Sequence, residues 1–317
     1  MAVYTKLNFK EVNNFLKQYG IDDLKNFRGI LQGVENTNYY IRTNSNEFIL
    51  TIYEKRVDPK DLPFFLRLLT NLSKNNFISP KPLENLKNYT ITKIKNKNAT
   101  LVTFLKGKSK TKLTNNDCFE VGKVCAQLHN LTKKFEISRK NNLSINNWEK
   151  IFKKINKKKL KKTSKEKIDN YLFLLKKNWP KKLPKGIIHA DLFPDNIFFI
   201  NKKISGVIDF YFACNDFFAY EIAICLNSLC FNNNSTFNIK KSKNLIKGYE
   251  TIRKLTPKEK YFLPILAMGA AMRFFLTRLY DAHNTDKNAS VKIKDPNEYL
   301  KKLEFHSKIK NFKEYFI

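Results

Sequence analysis

The chain has 317 residues, 42% of them hydrophobic and 14% aromatic, and a formal net charge of +32. Length and apolar content suit two globular lobes with a sizeable core and exclude a disordered chain. The excess charge is mostly lysine spread along the chain, and its densest run, Lys153 to Lys167, lacks the interleaved aromatics of a nucleic-acid surface, so no nucleic-acid partner is expected.

From the N-terminus, Phe9 to Tyr19 has helical spacing and stops at Gly20. Three strand-like runs follow, at Phe27 to Leu31, Asn38 to Thr43 and Phe48 to Tyr53, with turn residues between them. Asp58-Pro59 opens a helix reaching about Lys74, and Tyr89 to Ile94 and Ala99 to Leu105 read as two more strands. Past Gly107 the pattern turns helical, with helices predicted over 114–131, 146–156, 165–178, 217–230, 238–253, 257–281 and 296–310. The expected class is α+β, with an antiparallel-sheet N-lobe (1–105), a mainly helical C-lobe (106–317) and the site in a cleft between them.

The first residues, MAVYTKLNFKEVNNFL, have no apolar h-region, so export is not expected, and the longest apolar stretch, Tyr261 to Met272, reads as a buried helix, not a membrane span. The five cysteines, at 118, 125, 214, 225 and 230, form no C-x-x-C and are odd in number. They fit reduced thiols in the cytoplasm, and Cys214 is expected to pack and not to attack. Oligomeric state is not legible.

Residues 189–196 read His-Ala-Asp-Leu-Phe-Pro-Asp-Asn, an H-x-D-x-x-x-x-N pattern, and Val207-Ile208-Asp209 follows after a strand, a turn and a second strand. A hairpin of that length returns Asp209 beside Asn196. Oxygen donors from Asn196 and Asp209 suit Mg²⁺, which bridges phosphates, and Asp191 is placed to accept an alcohol proton. The pattern therefore points to phosphoryl transfer from ATP, whose polyanion the positive chain attracts. Gly33, Val34, Glu35, Asn36, Thr37 and Asn38 separate the first two strands and are expected to cover the phosphates through their N–H groups. Gly107-Lys108-Ser109 mimics the end of a P-loop, but Val102 stands where the upstream glycine is required.

These segments together resemble the homoserine kinases of the aminoglycoside-phosphotransferase type, which have a protein-kinase-like fold. The resemblance runs through MAVYTKL, GVENTNYYIRT, FILTIYEKRVDPKDLPFF, LVTFLKG, GIIHADLFPDNIFF, SGVIDFYFACND, AICLN, RFFLTRLYD and DPNEYLKKLEFH. It implies transfer of the ATP γ-phosphate to the hydroxyl of L-homoserine in threonine biosynthesis. It also implies Asp191 as base, Asn196 and Asp209 as Mg²⁺ ligands, and His189 as a scaffold of the loop. The wider superfamily places a phosphate-gripping Lys on the third strand, where this chain has Thr51. Lys55 shares that face but lies roughly 13 Å along it at about 3.3 Å per residue, so it is only a candidate phosphate contact. Tyr211 replaces the Gly of a D-F-G switch.

For an acceptor carrying a carboxylate and an ammonium, Arg273, Arg278, Asn215 and Asp216 are the candidate contacts. One arginine is expected to meet substrate and the other to pair with Asp281 or Glu221, while Asp216 is also expected to cap the following helix. His129 is expected in the core. The alternatives are a related amino-alcohol, sugar or aminoglycoside kinase, a basic nucleic-acid-binding protein on a kinase fold, or a nucleotide-binding pseudokinase.

Overall fold

The computed structural model describes residues 3–21, 23–31, 36–54, 57–155, 160, 162–284 and 294–316. The chain divides into two compact units, one of residues 1–108 with 205–211 and one of residues 109–204 with 212–317.

The first unit is a five-stranded antiparallel sheet with two helices. Its strands are β1 (Asn26–Ile30), β2 (Thr37–Arg42), β3 (Glu47–Ile52), β4 (Thr92–Ile94) and β5 (Lys97–Thr103), in the order β1-β2-β3-β5-β4. Helix α1 (Phe9–Lys17) starts at Asn8, whose side chain accepts from the Glu11 N–H while Glu11 reaches back to the Asn8 N–H. Its apolar side, Val12, Phe15 and Leu16, packs with Tyr39, Ile41, Leu50, Ile52, Ala99 and Leu101. Side chains alternate along a strand, so Asn38 and Thr51 face away from α1. They are cross-strand neighbours, and the Thr51 hydroxyl donates to Asn38 Oδ1 at 2.8 Å.

A short 3₁₀ turn at Pro59–Asp61 leads into α2 (Leu62–Lys74), which buries Phe64, Phe65, Leu68, Leu69 and Leu72. The strand predicted from Tyr89 begins only at Thr92. Asn85 accepts the N–H groups of Lys87 and Tyr89, and this local loop holds the chain off the sheet.

The second unit is mainly helical. It contains α3 (Asn115–Leu131), α4 (Ile145–Lys154), α5 (Lys162–Asn178), α6 (Phe218–Leu229), α7 (Ile239–Glu250), α8 (Pro257–Asn284) and α9 (Pro296–His306). A two-residue strand, β6 (Lys108–Ser109), marks the unit boundary, and β7 (Lys185–Ile188) pairs antiparallel with β10 (Cys214–Phe217), a strand the periodicity did not predict. Strand β8 (Ile197–Ile200) turns through Asn201 and Lys202 into β9 (Lys203–Val207). Both turn residues have positive φ, 46° and 66°, as a two-residue hairpin turn requires.

Helices α3 and α7 approach so closely that a Cβ at Gly122 would lie 2.1 Å from the Leu245 carbonyl oxygen, and one at Gly248 1.9 Å from that of Phe119. His129 is buried there, its Nδ1 2.8 Å from the Tyr249 hydroxyl, which bears out its expected place in the core. Helix α8 is long and apolar enough to cross a membrane by composition, yet most of it is buried within this unit. In Lys153 to Lys167, residues 156–159 and 161 lie outside the described residues.

Candidate active site

Strand β7 ends at Ile188, and His189 opens the loop that carries Asp191. His189 is buried, and its Nδ1 accepts the Asp191 N–H at 3.3 Å, the scaffold role expected of it. Ala190 is left-handed, with φ 64°. The Leu192 carbonyl accepts from the Ser228 hydroxyl at 2.7 Å, and the Phe193 ring stands edge-on to Phe274 at 5.0 Å. The loop closes in a 3₁₀ turn at Pro194–Asn196, where Asn196 Nδ2 donates to the Asp191 carbonyl at 2.9 Å. Asp191 and Asn196 are thus tied together through the Asn196 amide nitrogen.

Burial raises the Asp191 carboxyl to about 6, against the pull of Arg273, Lys294 and Arg278 and with the repulsion of Asp195. A half-buried carboxylate that ionises near pH 6 has the character of a general base.

Glu221 and Arg273 lie behind this loop. Glu221 Oε2 accepts the N–H groups of His189 and Ala190, the latter at 3.1 Å, and burial raises its carboxyl to about 7 against those two bonds. Arg273 is 2% exposed and its Nη1 donates to the Ala190 carbonyl. Sequence reasoning considered Glu221 only as an ion-pair partner. A lone acid inside the apolar run FAYEIAICL was the available signal, since such a residue is buried only when something engages it. Lys294, 4.0 Å from Asp195 and over the Phe193 ring, was also missed.

Asp209 belongs to the first unit and is also left-handed, with φ 65°. Its neighbours are anchored by backbone and by rings. The Val207 N–H donates to the Ile78 carbonyl at 2.7 Å, and Phe210 packs edge-on to Phe77. Tyr211 packs edge-on to both Tyr53 and Phe65 at 5.6 Å, with its hydroxyl 3.3 Å from that of Tyr53. The bulk that replaces a switch glycine therefore wedges between β3 and α2.

Gly33, Val34, Glu35 and Lys55 lie outside the described residues. Asn36 is buried and Asn38 is bonded to Thr51. The Thr37 hydroxyl faces the N-terminal segment, accepting from the N–H groups of Tyr4 and Thr5 and donating to Glu54. Lys97 completes that cluster, 2.7 Å from the Thr5 hydroxyl and 2.5 Å from Glu54, which fastens the N-terminal segment to the sheet.

Asn215 accepts the Arg139 N–H at 2.8 Å, and Asp216 accepts from Asn141 Nδ2 at 2.7 Å. Asp216 does not cap α6. The cap is Phe217, and Asp216 takes the Phe217 N–H from one position further out, so the expectation of a capping side chain is corrected. Arg278 pairs with Glu298 at 2.6 Å and donates to the Asp295 carbonyl. Burial pushes the Cys214 thiol up to about 12, which makes it inert as a nucleophile, as expected.

Among the described residues no three His, Cys, Asp or Glu side chains are grouped to cage a metal. Asn196 carries an amide oxygen and Asp209 a carboxylate, donor types that suit a cation taking most of its ligands from phosphates and water.

Residues 26–255 match the Phosphotransferase enzyme family. The homoserine kinase of Agrobacterium fabrum is 44% identical over 317 residues, covering 99% of this chain and 98% of that protein. That of Parvibaculum lavamentivorans is 44% identical over 308 residues, 96% of each chain. Among solved structures, a microcompartment-associated aminopropanol kinase superposes with a TM-score of 0.70 at 15% identity, over 95% of this chain and 94% of the other. The choline kinase LicA of Streptococcus pneumoniae gives 0.67 at 13% identity, over 95% and 99%. Those two likenesses show the fold, and the α+β, kinase-like class expected from the sequence is the one found. By its family match and its full-length relatives, the chain belongs to the phosphotransferase enzyme family and, within it, to the homoserine kinases.

Proposed function

We propose that this protein transfers the γ-phosphoryl group of ATP to the hydroxyl of L-homoserine, giving O-phospho-L-homoserine, as a cytoplasmic step of threonine biosynthesis. The observation that carries the chemistry is the loop that presents Asp191, tied at Leu192, Asn196 and Ala190, where burial raises the carboxyl to about 6. The acceptor is inferred from the full-length likeness to homoserine kinases.

Asp191 accepts the proton of the acceptor hydroxyl as the oxygen attacks phosphorus. Asn196, through Oδ1, and Asp209 hold Mg²⁺. When bound, the ion neutralises charge on the β- and γ-phosphates. Residues Gly33 to Asn38 are assigned to the phosphates, through backbone N–H groups, with Thr51 and Lys55 as further nucleotide contacts. Residues 1–105 thus serve the nucleotide, and 106–317 supply the base and the acceptor site.

Arg278 and Lys294, both of which draw the Asp191 carboxyl downward, receive the acceptor carboxylate. Asn215 and Asp216 face its ammonium. The five cysteines are buried free thiols, in keeping with a reducing compartment.

ADP release measured with homoserine, choline, methylthioribose and an aminoglycoside tests this reading. Turnover with homoserine far above the others is expected. Turnover of another alcohol in preference would reassign the acceptor, and MgATP binding with no turnover of any would identify a nucleotide-binding protein without kinase activity.

A further inference from the structure

Ala190 immediately precedes Asp191 and holds a left-handed backbone, which a residue with a Cβ adopts unfavourably. The peptide groups on its two sides are gripped by opposite charges. On one side the Ala190 N–H, together with that of His189, donates to Glu221 on α6. On the other side the Ala190 carbonyl accepts from Arg273 on α8. Glu221 is 0% exposed and Arg273 2%. The rings of Phe274 and Phe212 flank the guanidinium at 4.5 and 5.7 Å.

Two buried charges kept only for stability would be expected to pair with each other. These do not. Among the described residues, Glu221 Oε1 and Arg273 Nε are buried without a hydrogen-bond partner, while the atoms that do bond hold main chain on either side of one residue. Charge-assisted bonds to backbone are about twice as strong as neutral ones, so the arrangement favours rigidity at Ala190 over economy in the core. It also leaves the Arg273 guanidinium engaged at the loop's main chain, where sequence reasoning had offered it to the substrate.

We propose that Arg273 and Glu221 are a positioning pair: they clamp the peptide groups flanking Ala190 and so set the direction of the Asp191 carboxylate. The proposal rests on the reading of Asp191 as the base. Neither residue touches the acceptor or the nucleotide. Loosening the clamp lets Asp191 wander, so its effect falls on kcat and not on substrate affinity.

The test is a double-mutant cycle with amide exchange beside it. Arg273→Met and Glu221→Gln are made singly and in an Asp191→Asn background, with kcat, both KM values and thermal stability measured for each. Each single change is expected to lower kcat by about 30-fold or more with KM for MgATP and homoserine within about 3-fold, and to cost less than about 3-fold further once Asp191 is Asn. Equal losses in both backgrounds, or a loss confined to the KM of homoserine, would overturn the proposal. Glu221→Gln keeps the shape of the side chain and serves if Arg273→Met does not fold. Hydrogen exchange at the His189 and Ala190 amides is expected to quicken by about tenfold or more in Glu221→Gln while α3 and α7 keep their protection. Unchanged protection there would refute the clamp even if the wild-type protein turned over no homoserine, a result that would by itself remove only the assigned activity.

Discussion

Asp191 and Asp209 both depend on a left-handed residue, yet the side chains that anchor the chain beside it differ. At Asp191 the strained residue is its neighbour Ala190, fixed by two buried charges reaching in from α6 and α8. At Asp209 it is the aspartate itself, and the two residues after it are seated by rings: Phe210 on Phe77, and Tyr211 wedged against Tyr53 and Phe65. Charged bonds are short-ranged and directional, which suits a base that must aim at one hydroxyl. Ring packing is less directional but broad, which suits a ligand that has only to present an oxygen to a metal. The missing strand Lys fits the same contrast. Where a kinase of the wider superfamily has a cation, β3 here carries Thr51 bonded to Asn38, and Tyr53, just past the end of the strand, joins the aromatic wedge.

The largest effect should come from the directional side. Asp191→Asn is expected to lower kcat by about 10²–10⁴ while leaving the KM for MgATP nearly unchanged, measured by steady-state kinetics. The pH dependence of the wild type comes next. A base must be ionised, so turnover is expected to rise about tenfold per pH unit up to about 6 and then level, because the Asp191 carboxyl is raised to about 6. Stability runs the other way. A carboxyl raised in the folded state contributes stability that is full below its unfolded value near 3.8 and is lost as pH rises through about 6. Melts of Asp191→Asn at pH 8 are therefore expected to show no loss of stability, and a lowered Tm would contradict the burial argument.

On the packed side, Tyr211→Ala removes a ring from between Tyr53 and Phe65 and is expected to cost about 2–4 kcal/mol in urea unfolding. Its loss of activity should follow loss of fold, unlike that of Arg273→Met. Gly248→Ala is the smallest of the set. The Phe119 carbonyl stands where its Cβ would go, so α3 and α7 must part, at about 1–3 kcal/mol with kcat per folded molecule unchanged.

The sequence made the chemistry legible wherever local spacing carried it. The eight residues from His189 to Asn196 need only a tight loop, and the helices from α3 to α9 need only their apolar period. Residues whose partners lie far along the chain were less legible. Asp216 looked like a cap because it precedes a helix, but β10 pairing with β7 places it one position too early. Arg273 looked like a candidate substrate contact because arginine in an apolar helix invites one, and nothing local reveals that its Nη1 donates to the Ala190 carbonyl, 83 positions away. Thr37 lies in the expected phosphate loop, and nothing local reveals that Tyr4, Thr5 and Glu54 occupy its hydroxyl.

The most direct test of the contrast between aiming and ligating is the binding of Mn²⁺-ATP, followed by electron paramagnetic resonance, in Asp191→Asn, Asn196→Ala and Asp209→Ala. Binding at near wild-type strength is expected in the first and a loss of about tenfold or more in the other two. Wild-type binding by Asp209→Ala, or its loss in Asp191→Asn, would contradict the division of roles between the two aspartates.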